Sequence, residues 1–202
     1  MIDAHQHFWR LLRGDYDWPN ASVAPIFRDF GPEDLRPLLD RAGVRQTVLV
    51  QVCPNEAETA FMLDIAAKAD FIAGVVGWVD LTAPDAVDRI DRLRQTPLLR
   101  GLRPMLQSID DTAWILQPAA RRALAHMAAT GLCLDALIKP RHLAVIHQLG
   151  RRHPDLKIVI DHLAKPRMGQ AQPPDQLWAQ GMTALAGLPN LWCKLSGMVT
   201  EV

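Results

Sequence analysis

The stretch HQHFWRLLRGDYDWPN, His5–Asn20, decides the fold. It follows the apolar start Met1–Ala4, where an α/β chain leaves its first strand. An open doubly wound sheet would place a glycine-rich phosphate turn, GxGxxG, at this point. The stretch holds a single glycine, Gly14, and begins instead with two histidines one residue apart. In a strand, residues i and i+2 point to the same side, so His5 and His7 converge and Gln6 faces away. Two imidazoles on one side suit a divalent metal, which takes neutral nitrogen ligands. Without the phosphate turn, the remaining α/β architecture is a (β/α)8 barrel, which carries its chemistry at the C-terminal ends of its strands.

The rest of the chain repeats one beat. Apolar, β-branched-rich runs lie at Arg45–Cys53, Phe71–Asp80, Leu98–Leu106, Gly131–Ile138, Leu156–Ala164 and Leu191–Gly197. With the first run they predict seven strands buried on both faces, as in a parallel sheet. Helical patterns fill the gaps at Pro32–Ala42, Asn55–Ala69, Pro84–Gln95, Pro118–Thr130, Pro140–Arg152 and Pro174–Ala186, several opening at a proline as helices do. Strict alternation implies parallel strands with right-handed crossovers. A complete barrel takes about 250 residues. This chain has 202 and reaches Glu201-Val202 just after the seventh run. The expectation is therefore a single TIM-type barrel domain over 1–202, truncated after strand 7, without strand 8 and its flanking helices. Such a chain would be poorly active unless another segment or chain completed it, since open strand edges invite pairing.

Composition narrows the class. The chain is 49% hydrophobic and 22% charged with zero formal net charge, which is globular and offers no basic face for nucleic acid. Cys53, Cys133 and Cys193 are far apart with no CxxC pair, and two of their surroundings read as buried strands, so reduced core thiols are expected. With no secretory segment and no apolar run of membrane length, the sequence reads as soluble and cytoplasmic, with a homo-oligomer left open.

Polar residues recur at the ends of the predicted strands: His5 and His7, Gln51 and Cys53, Trp78 and Asp80, Arg103, Asp135, Asp161-His162, then Lys194 and Ser196. Burying unpaired polar groups is costly, so this recurrence predicts a lined pocket. Blander roles exist for several. Asp80 can cap the next helix, Asp135 can partner Arg103 or Lys194, and Ser196 is expected to bond local backbone. His126, His142, His147 and His153 fall on helices or helix ends and read as surface or packing residues. His162 closes an apolar strand before Pro166 and is given a functional role.

HQHFW, RDFGPEDLRPLLDRAGVRQTVLVQ, GLRPML, IDHLAKP and CKLSG together resemble the amidohydrolase superfamily. More narrowly they resemble its lactonase branch (amidohydrolase family 2), that of the L-fuconolactonase, L-rhamnono-lactonase and sulfomuconolactone-hydrolase types. The resemblance spans essentially the whole chain, with the motifs in order. It implies a distorted (β/α)8 barrel that opens sugar-acid lactones. It carries His5 and His7 over as a metal pair for a divalent ion, zinc first, and His162 as the strand-6 histidine. Some members of the branch work without metal. Two departures stand out: strand 5 offers Asp135 where many relatives place a histidine, and the strand-8 aspartate of the superfamily has no counterpart here.

The expected mechanism is attack of water on a lactone carbonyl. His162, Arg103 and Lys194 are the catalytic candidates: Arg103 or His162 for the oxyanion, His162 for proton transfer, Lys194 for the substrate's carbonyl or hydroxyls. Gln51, Trp78, Trp9 and Asp135 are the candidate substrate-binding residues. A decarboxylase of a small unsaturated or aromatic acid, or an inactive binding paralogue, are the rival readings.

Overall fold

A computed structural model of the chain describes residues 1–167 and 175–197. Pro174, with which the last predicted helix opens, and Glu201-Val202 lie outside the described residues. The strands are β1 (Ile2–Gln6), β2 (Gln46–Val50), β3 (Ile72–Gly77), β4 (Leu99–Leu102), β5 (Cys133–Ala136), β6 (Ile158–Ile160) and β7 (Leu191–Cys193). The helices between them are α1 (Pro32–Ala42), α2 (Glu56–Ala66), α3 (Ala86–Arg94), α4 (Arg121–Thr130), α5 (Leu143–Arg152) and α6 (Gln176–Ala186). Strands are hydrogen-bonded in chain order, β1 to β7. Every pair with an assigned register is parallel. This is the (β/α) barrel type, with seven strands among the described residues.

The chain divides into two compact units, Met1–Val79 with Arg92–Arg100, and Asp80–Asp91 with Gly101–Val202. In the first, Leu49 and Val50 of β2 register with Val75 and Val76 of β3, and all four are buried. Met62, Leu63 and Ala66 of α2 and Leu39 of α1 are buried with them. In the second, Leu134 and Ala136 of β5 face Ile158 and Ile160 of β6, and Leu124, Met127, Ile146, Leu149 and Leu185 bury the helical faces. Each such side chain withdrawn from water contributes about 1.5–3 kcal/mol before the entropy cost of ordering the chain.

Helix boundaries follow local chemistry. Pro32 opens α1, and the Asp34 carboxylate accepts from the Gly31 backbone N–H at 2.9 Å. Asn55 caps α2 by accepting from Glu58 N at 2.7 Å, and Asp175 caps α6 through Trp178 N at 2.7 Å. The predicted strand Leu98–Leu106 stops at Leu102, because Pro104 has no N–H for a ladder. The predicted strand Leu156–Ala164 stops at Ile160, where the backbone enters a left-handed turn. Cys53 is buried and Cys133 partly so, but Cys193 is exposed; all three are free thiols. No helix among the described residues is long and apolar enough to cross a membrane.

Candidate active site

In the first unit, β1 presents its two histidines as alternation requires. Their Nε2 atoms lie 3.1 Å apart, with the rings edge to face. His7 Nδ1 lies 2.7 Å from the Val50 carbonyl at the end of β2. A carbonyl only accepts, so this nitrogen carries the proton and Nε2 is the unprotonated nitrogen that meets His5. A zinc ion takes imidazole nitrogen at about 2.0–2.1 Å, so two ligands at the tetrahedral angle stand roughly 3.3 Å apart. The observed 3.1 Å between two Nε2 atoms fits a shared ion. Asp3 is no part of that pair: its Oδ1 accepts from His5 backbone N at 3.0 Å.

The aromatic and amide candidates of this unit have structural employment. Trp9 is 6% exposed, its indole N–H donates to Arg28 O at 2.6 Å, and its backbone pairs with Phe30. Trp18 packs edge-on against it at 5.5 Å. Gln51 is fully buried, and its backbone N–H continues the β2–β3 ladder to Val76 O. Trp78 is half-buried, its backbone clamped by the Thr59 hydroxyl, which accepts from Trp78 N at 2.8 Å and donates to Trp78 O at 3.2 Å.

In the second unit, four charged side chains from four strand ends meet out of water. Lys194, just past β7, places its ammonium 2.5 Å from Asp135 Oδ2 of β5 and 2.9 Å from Asp161 Oδ1 beyond β6. Arg103, just past β4, reaches Asp161 Oδ2 at 3.1 Å. Two cations face two carboxylates, the balance a buried network needs. Burial, and then the charge of Asp161, push the Asp135 carboxyl up to about 7 against the pull of Lys194. Of the two partners open to Asp135 from sequence, Lys194 is the one it contacts.

His162 follows this network directly. It begins a run of four non-glycine residues with left-handed backbone: φ is 51° at His162, 53° at Leu163, 58° at Ala164 and 53° at Lys165. Such a residue costs roughly 1–2 kcal/mol, so the surroundings must impose the turn. They do so through four hydrogen bonds. Leu163 N donates to Lys194 O, Lys165 N to His162 O, Lys194 N to Ile160 O, and the Trp178 indole to Leu163 O at 2.6 Å. Ser196 Oγ lies 2.9 Å from His162 Nδ1. The expectation that Ser196 bonds local backbone is thereby corrected: Gly197, with φ 66°, turns the chain so that Ser196 meets the ring.

The remaining candidates sort as expected or nearly so. Asp80 Oδ1 accepts from Thr82 N and Thr82 Oγ, capping the turn ahead of α3 rather than the helix itself. His126 pairs with Asp91 on the surface and His142 packs against the Lys139 backbone. Sequence reading passed over Asp161 as a hub, along with Glu58, Trp178 and Gly197. Only the D before H in IDHLAKP and the G closing CKLSG hinted at any of them.

A parallel strand–helix alternation with paired histidines on the first strand and a histidine beyond the sixth defines a hydrolase-type barrel. Residues 2–202 match the amidohydrolase family, and the chain belongs to it. A Burkholderia ambifaria protein named L-fucono-1,5-lactonase is 48% identical over 200 residues, 99% of this chain and 68% of that protein. A Burkholderia multivorans protein of the same name is 37% identical, over 99% of this chain and 69% of its own. A crystal structure of a Burkholderia multivorans amidohydrolase with bound zinc superposes with a TM-score of 0.92 at 37% identity, covering all of this chain and 71% of that one.

Proposed function

We propose that this chain hydrolyses sugar-acid lactones, with L-fucono-1,5-lactone as the first substrate to test. The observation that carries the reading is the 48% identity, across 99% of the chain, to a relative bearing the name L-fucono-1,5-lactonase. Water adds to the lactone carbonyl carbon, the ring C–O bond breaks, and the ring oxygen leaves as a hydroxyl. The products are a carboxylate and a released proton.

The residues take these roles. His5 and His7 are assigned to a divalent ion, the His7 ring oriented by its Nδ1–H on Val50 O. His162, its Nδ1 on Ser196, protonates the departing oxygen through Nε2. Lys194 is assigned to the substrate's carbonyl oxygen and Arg103 to holding Asp161, because the Lys194 side chain is 10% exposed and that of Arg103 only 4%. Gln51, Trp78, Trp9 and Asp135 are assigned to binding the substrate. A divalent ion on His5 and His7, zinc first, would supply Lewis acidity and a water with a pKa lowered to about 7.

A pH-indicator assay on a panel of sugar-acid lactones, with and without added zinc, tests the reading. Acid release is expected. The double variant His5→Ala/His7→Ala is expected to lose turnover at an unchanged Tm. Turnover retained in that variant, or carbon dioxide released in place of acid, overturns the assignment.

A further inference from the structure

Glu58 is the third residue of α2, in its first turn, away from the histidine pair in sequence, and it is fully buried. Among the described residues no cation lies in hydrogen-bond contact with its carboxylate. Instead its Oε2 accepts two successive backbone amides, Val52 N–H at 3.0 Å and Cys53 N–H at 2.6 Å. A buried carboxylate is costly, so its presence here calls for a cause. The cause lies in what those amides follow. Val50 ends β2, and its carbonyl is the acceptor that fixes the His7 ring. Gln51 comes next, and then the two peptide units that Glu58 grips.

We infer that Glu58 is a positioning residue for His7: by clamping the turn after β2 it holds the Val50 carbonyl in the place that selects the His7 tautomer. The chain of contacts runs from Glu58 Oε2 to the Val52 and Cys53 amides, through two peptide units to Val50 O, and on to His7 Nδ1 at 2.7 Å. The neighbouring residue Thr59 makes a comparable clamp to the end of β3 instead, on both the N–H and the C=O of Trp78. One turn of α2 thus secures two strand ends, and only the Glu58 clamp bears on the histidine. Asn55 completes the arrangement, accepting from Glu58 N at 2.7 Å and donating to Asp15 Oδ2 at 3.1 Å. Burial pushes the Glu58 carboxyl upward, with the two amides opposing that shift.

The inference rests on the lactonase reading for its kinetic consequence, but its primary readout needs no substrate. Imidazole nitrogens are followed by 1H–15N correlation in labelled protein, with the His7 signals assigned from a His7 variant. The wild-type His7 is expected to show a proton on Nδ1. Glu58→Ala is expected to give a mixture of tautomers and, for lactone turnover, a kcat fall of at least about tenfold at little-changed KM, as loss of catalytic alignment produces. Glu58→Gln keeps an acceptor oxygen for both amides and is expected to restore the wild-type tautomer and most of kcat. Should Glu58→Ala fail to fold, Glu58→Asp withdraws the carboxylate by one methylene and gives the same change in smaller measure. Thr59→Val removes the twin clamp and is expected to lower Tm while leaving the His7 tautomer as in the wild type. A wild-type His7 signature in Glu58→Ala and Glu58→Asp, or an altered one in Thr59→Val, overturns the inference. Absence of acid release by the wild type would remove the lactonase reading and leave the tautomer test standing.

Discussion

Replacing Gly197 by alanine separates the cost of a backbone shape from the cost of moving the His162 ring, to which we assign the proton transfer. Gly197 has φ 66°, and a Cβ built there falls 2.6 Å from His162 Cγ and 2.7 Å from its Nδ1. Gly43, at the C-terminus of α1, also has φ 66°, but nothing lies within 4 Å of its added Cβ. Both substitutions carry the left-handed penalty of about 1–2 kcal/mol. For a chain of this length that lowers Tm by roughly 2–8 °C. Only Gly197→Ala also collides with His162. To reach ordinary carbon contact the ring must retreat by roughly 0.8 Å, and it loses its register with Ser196. A misplacement near 1 Å can cost about 100-fold, or about 2.7 kcal/mol of transition-state stabilisation. Initial rates by pH indicator and Tm by calorimetry on both variants supply the comparison. Gly43→Ala should keep the wild-type kcat/KM while Gly197→Ala loses about two orders of magnitude. Equal kcat/KM in the two variants would refute the claim that Gly197 exists for the histidine.

Two further perturbations probe the charges beneath that ring. Asp161→Asn leaves Arg103 and Lys194 buried with their shared carboxylate gone, a change that costs about 3–5 kcal/mol, so Tm should fall by roughly 6–20 °C; a fall of a degree or two would mean the network is solvated. Asp135→Asn tests pH dependence. A carboxyl that holds its proton more tightly in the folded chain than in the unfolded one adds stability at low pH. That share disappears as pH rises from about 4 to about 7. Wild-type Tm minus Asp135→Asn Tm should therefore shrink across that interval, and a difference constant with pH would contradict the upward shift.

Strand and helix alternation was legible because parallel strands buried on both faces read as apolar runs, and the runs at β2 and β3 are buried nearly throughout. Strand ends were overrun wherever local backbone overrode the apolar pattern. Leu163 and Ala164 continue the hydrophobic run of β6, yet they stand in left-handed conformation, because Trp178 and Lys194 hold their backbone from elsewhere in the chain. Periodicity carries no record of a hydrogen bond that arrives from 15 residues away.

The site divides along the same line. His5 and His7 were legible as a pair because alternation within one strand is local, and their 3.1 Å approach follows from it. Arg103, Asp135, Asp161 and Lys194 were each visible as a polar residue at a strand end, but that Asp161 joins Arg103 to Lys194 was not. Asp161 becomes the hub only when β4, β6 and β7 bring their ends together, with Lys194 carrying the link on to Asp135 of β5. That convergence changes what the cations are. As separate strand-end residues, Arg103 and Lys194 looked equally ready to meet a substrate oxygen. Both reach Asp161, Lys194 while also holding Asp135 at 2.5 Å, and Asp161 is bonded in sequence to His162. Arg103 is the more deeply buried of the two, its side chain 4% exposed against 10% for Lys194.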